Sequence, residues 1–223
     1  MEGWHFLRES RTLGYDDNRH VAVGEMLTVD GDPELCMWGL HASKRAIDAL
    51  VYAPGPLVCR VDVGGKIVEG DDKFVGTSRK VLWMADATKV LHEFACWCAE
   101  RALLREREAG REPDPRSWRA IEVKRAWISG EATDDELRAA QDAAWAAARA
   151  AAQDAAWAAA QDAAWAAAWA AAQDAAWAAA WAAAQDAARA AAWAAARAAA
   201  WAAEHEAQNA KLEEMLWSLK EGA

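Results

Sequence analysis

The chain has 223 residues, 15 of them Trp against 2 Tyr and 3 Phe, and a formal charge of −10. An acidic balance of this size excludes the broad basic footprint that duplex nucleic acid requires. Gln, Asp and Arg interrupt the Ala/Trp-rich C-terminal half every few residues, so a bilayer-spanning helix is excluded as well. Residues 1–10 hold no apolar core of signal-peptide length. The four cysteines do not form a disulfide framework, and a reducing cytoplasm is the expected setting.

Residues 1–85 read as a small α+β head domain with a mixed β-sheet. Trp4-His5-Phe6-Leu7 predicts a first strand and Met26-Leu27-Thr28-Val29 a second, closed by Asp30-Gly31-Asp32-Pro33. Ser43 stands where it could cap a helix to about Val51, which Pro54-Gly55-Pro56 would stop. Leu57–Val63 alternates cleanly, meets Gly64-Gly65 and resumes as Lys66-Ile67-Val68. A Gly-Gly pair between alternating runs predicts a hairpin, because primed turns need positive φ. A last strand runs from Phe74 to about Trp83.

Residues 86–130 predict a two-helix segment. Ala87–Glu108 carries Val90, Leu91, Phe94 and Trp97 at helical spacing and ends before Gly110 and Pro113. Ser117 is the expected start of the next helix, which stops at Ser129-Gly130. Thr133-Asp134-Asp135-Glu136 then supplies a capping box, in which hydroxyl and carboxylate satisfy the first free amides.

Residues 131–221 predict a very long Ala/Trp-rich amphipathic helix. From Ala139 to Ala202 the chain repeats every four residues, and no Gly or Pro occurs between Gly130 and Gly222. Ala is the best helix former. Four residues advance a helix by about 400°, so the third position drifts by about 40° per repeat. Trp145, Trp165, Trp169, Trp177, Trp181 and Trp201 nonetheless fall in one arc of roughly 160°, opposite most of the Gln, Arg and Asp positions. Leu137, Leu212 and Leu216 share that arc. One continuous helix is the expected form, with a fold-back onto the two middle helices as the alternative. Such a stripe is larger than a soluble monomer tolerates exposed, which predicts self-association or docking of another protein.

Chemistry is sparse. No zinc-protease, phosphate-loop, nucleophile-elbow or dinucleotide motif occurs, and no metal or cofactor is expected. Cys96 and Cys98 are too closely spaced for a redox pair. Glu204-His205-Glu206 diverges around a helix. His41 and Ser43 sit at an expected loop-to-helix junction whose amides could hold an anion, with Tyr52, Lys73 and Arg79 as further candidate ligand residues beside Asp71 and Asp72.

The pattern Leu35-Cys36, Gly39-Leu40-His41-Ala42-Ser43, Asp48-Ala49-Leu50, Tyr52-Ala53-Pro54-Gly55, Val61, Gly65 and Asp72-Lys73 resembles an uncharacterised domain of phage and prophage proteins, over about residues 1–85. Phe94-Ala95-Cys96, Ala99–Ala102 and Trp127–Glu131 resemble a helical immunity-protein family with an Ala-rich tail. More loosely, the Gly39–Ser43 turn and the helix after it are similar to the ADP-ribosyltransferase fold. That likeness implies His5, Tyr52 and Glu69 around a nicotinamide. The leading expectation is a non-enzymatic phage or mobile-element accessory protein that binds a host defence factor or a small signalling nucleotide and forms homo-oligomers. A nucleotide-using transferase with its site near His41 and Tyr52, and a structural virion or scaffold component, are the alternatives.

Overall fold

A computed structural model describes residues 1–14, 17–150, 199–200 and 202–221. It is an α+β chain in two compact units, residues 1–97 with 206–223, and residues 98–205.

The first unit is built on an antiparallel sheet of β1 (Glu2–Leu7), β2 (Met26–Thr28), β3 (Leu40–Ala42), β4 (Leu57–Glu69) and β5 (Phe74–Asp86). Strand order is β1-β4-β5-β2, with β3 also on β5. Trp4 and Ser43 exchange both backbone hydrogen bonds, at 2.7 and 2.9 Å. The ring β1-β4-β5-β3 therefore closes on itself and leaves no free edge there. Closure demands a close approach at Gly3. A Cβ on Gly3 would lie 2.6 Å from the Phe74 ring.

Gly64 and Gly65 do not form the expected hairpin. Both runs that flank them pair with β5, so β4 continues through a register shift between Gly64 and Ile67. The positive φ of Gly65, +74°, thus serves a bulge. The turn comes later, where Gly70 N–H donates to Lys73 O at 2.8 Å.

Residues Leu40–Ala42, expected as part of a loop, form β3, too short a strand to leave a periodic signal. Ser43 is not the helix cap, because α1 starts at Ala46 and its N-cap position falls at Arg45. Helix α1 (Ala46–Val51) has Arg45 at its N-cap, with no side-chain cap from that residue. Its free amides are satisfied from far along the chain: Ala46 N–H donates to Glu213 Oε1 at 3.1 Å and Ile47 N–H to Asn209 Oδ1 at 3.2 Å.

The apolar core gathers Leu7, Leu13, Val21, Leu27, Leu57, Cys59, Val61, Val63 and Val81. Residues 206–221 are helical and bring Leu212 and Leu216, both fully buried. Trp217 joins Trp4 and Trp83, with ring centroids 5.3 and 5.6 Å from it and 5.8 Å between the other two. The Arg60 guanidinium stands over Trp4 at 5.0 Å and over Trp217 at 5.9 Å, a cation–π arrangement.

Helix α2 (Thr88–Glu108) ends near Gly110, and α3 (Pro115–Ile128) follows. In the second unit Asp114, not Ser117, caps α3 by accepting from Arg116 N–H at 2.8 Å. Pro115 takes the first helical position, where its missing N–H costs nothing. Glu100 pairs with Arg125 at 2.7 Å, and Glu204 with Arg101 and Arg105 at 2.9 and 2.8 Å. The capping box forms: Glu136 N–H donates to Thr133 Oγ1 at 3.2 Å, and Thr133 N–H to Glu136 Oε2 at 2.8 Å. Residues 134–150 are helical. Leu137 and Ala147 are buried there, while Trp145 is 68% exposed. Residues 151–198 and Trp201, which include Trp165, Trp169, Trp177 and Trp181, lie outside the described residues. Among the described residues no helix is long and apolar enough to cross a membrane.

Candidate functional site

Four of the five candidate ligand residues meet near the β4–β5 turn. Tyr52 ends α1 and is half exposed, and its hydroxyl donates to Asp72 Oδ2 in the turn. The Lys73 ammonium stands 3.9 Å from the centre of the Tyr52 ring. A hydrogen bond to the Cys36 thiol, then the Tyr52 contacts, raise its pKa above lysine's ordinary value despite some burial. Cys36 N–H in turn donates to His41 Nε2 at 3.1 Å. An acceptor at Nε2 places the imidazole proton on Nδ1, which faces Gly39 O at 3.2 Å. His41 is therefore a neutral ring with both nitrogens engaged, and burial holds its pKa below the usual histidine value.

Arg79 lies beneath this surface, 2% exposed. It reaches the network by donating from Nη1 to His41 O at 2.7 Å. Ser43, the fifth candidate, is buried and tied to Trp4 through its backbone. The loop-to-helix amides that could have held a free anion receive the Glu213 carboxylate and the Asn209 amide instead. Tyr52, Lys73 and Asp72 thus form a polar, aromatic surface cluster with a buried cation behind it. Cys36 is the connector that sequence reasoning missed. Its role depends on a positive φ of 66°, which an isolated Cys does not announce.

His5, Tyr52 and Glu69 each have other company. His5 projects from β1 in register with Cys59. Burial, then the charges of Arg79 and His41, hold its pKa well below the ordinary value. Glu69 is ion-paired with Lys44 at 2.6 Å. A separate groove of about 480 Å³ runs between Glu9, Arg11, Val21, Leu57, Met84 and Asp86. Among the described residues no cluster of His, Cys, Asp and Glu is arranged to hold a metal ion.

Residues 10–93 match the model of a Domain of unknown function (DUF7666). The matched span holds the whole Tyr52–Lys73–His41 network and Arg79, together with every residue of the Leu35–Lys73 pattern. It omits β1 and everything beyond the first turns of α2. No curated protein and no solved structure matches the chain. The head is thus similar to an uncharacterised domain.

Proposed function

We propose that the chain is a non-enzymatic accessory protein of a phage or mobile element, which recognises a partner through its head and associates with further copies of itself through the Ala/Trp tract. The partner classes this setting suggests are a host defence factor and a signalling nucleotide. The recognition surface is the Tyr52–Lys73–Asp72 cluster, where a half-exposed ring and a lysine ammonium are held in place by hydrogen bonds.

Trp145 carries the self-association reading. It is the first tryptophan of the tract and stands 68% exposed, while Leu137 and Ala147 on the same helical segment are buried. A large indole left in water gains roughly 2 kcal/mol when a second surface covers it. The ion pairs of Glu204 with Arg101 and Arg105 tie the residue just beyond the tract to α2. A straight helix from Asp134 to Glu204 would span about 105 Å.

Light scattering on the full chain tests the proposal. We expect a mass above the monomer's 24.2 kDa, falling to the monomer when Trp145, Trp165, Trp169 and Trp181 are changed together to Gln. An unchanged mass on that substitution contradicts it. Calorimetry with nicotinamide adenine dinucleotide separates the transferase alternative, for which binding heat lost on Tyr52→Ala would be the signature.

A further inference from the structure

Arg79 sits mid-strand in β5, between Leu27 of β2 and Val63 of β4 in registered pairs. Both neighbours are buried members of the apolar core, and Arg79 itself is 2% exposed. Only Nη1 is spent, on His41 O at 2.7 Å. Nε and Nη2 are buried and meet no acceptor among the described residues.

Among the described residues no ionisable group is paired with this guanidinium, although against burial, which lowers its pKa, the Asp17 charge raises it. His5 and His41 are held neutral by burial, and burial pushes the Cys59 thiol up to about 12, so it stays protonated. The Asp17 carboxylate is gripped by Arg19 through two bonds, at 2.6 and 2.8 Å. Burial lowers Arg79 itself to about 10, which leaves it cationic at neutral pH. A buried cation with idle donors is strongly disfavoured unless a counter-charge reaches it. The idle edge, Nε with Nη2, is the fork that receives two oxygens of a carboxylate or phosphate in parallel.

We propose that the head binds one small oxyanion, of the carboxylate or phosphate class, on the Nε–Nη2 edge of Arg79. The proposed edge belongs to β5 and uses no residue of the Ala/Trp tract. Its failure would leave self-association standing, and the reverse also holds.

The test is thermal unfolding of the full chain, exhaustively dialysed, in chloride, acetate and inorganic phosphate at one pH and one ionic strength. Binding only to the folded state raises the transition with ligand concentration. We expect a saturable rise of about 5 °C in acetate or in phosphate, and the salt that produces it identifies the class. Arg79→Met removes the charge at similar volume and should abolish the response. Should that variant fail to fold, the wild-type titration decides alone. Coincident wild-type transitions in all three salts overturn the proposal, as does a response that survives in R79M.

Discussion

His5 and His41 are partly buried near a cation, and both are held below the ordinary histidine pKa. The unfolded chain takes up protons on these rings as pH falls below about 6.5, whereas the folded chain does not. Their contribution to stability is complete above that pH and is lost on acidification. The thermal transition should therefore fall between about pH 6.5 and pH 5, and His5→Gln should flatten part of the slope. A transition unchanged over that window would contradict the burial of these rings. Gly65 makes the second residue-level case. A Cβ there would lie 2.0 Å from Thr77 Oγ1, at a φ of +74°. Gly65→Ala should cost about 1–3 kcal/mol in denaturant unfolding, and Thr77→Ala should restore part of it. An additive pair would mean that the two do not meet. The need for glycine was legible at this position, but its use was not. A positive φ fits a primed turn and a bulge equally, and only the shared pairing of both flanks with β5 separates them.

Elements were most legible where the signal is local. The alternation in β4, the stop at Pro54-Gly55-Pro56 and the Thr133–Glu136 capping box all follow from neighbours within a few residues. The start of α3 was misplaced because Asp114 and Ser117 are both capable caps, and Pro115 settles the choice for Asp114. The caps of α1 had no local signal at all, since Glu213 and Asn209 lie more than 160 residues away. Leu212 and Leu216 were recognisable as an apolar stripe, yet nothing in their spacing names what covers them. They belong to the first unit. Leu212→Ala should cost about 2–5 kcal/mol, and Glu213→Ala about 1 kcal/mol through the lost cap. Chemical denaturation followed by Trp fluorescence checks both. A neutral Leu212→Ala would show that residues 206–221 add nothing to the unit.

At the scale of the molecule, the family match stops at residue 93, but the sheet it contains is completed by β1 and capped by residues 206–221. Residues 98–205 are thus bracketed by two parts of one compact unit. Length and composition distinguish the head from the tract in the sequence, because each has its own chemistry. They could not show that the chain returns to its start, because that closure rests on pairs such as Trp4 with Trp217, whose separation in sequence exceeds any local pattern. The inverted aromatic count is shared between two tasks. Trp4, Trp83 and Trp217 close one face of the sheet, and Trp145 opens a stripe that a second surface is proposed to cover.

Sedimentation equilibrium of the intact chain across a hundredfold concentration range tests that central claim most directly. The account predicts an average mass that climbs toward an integral multiple of 24.2 kDa as concentration rises. A mass equal to the monomer's at every concentration would contradict it.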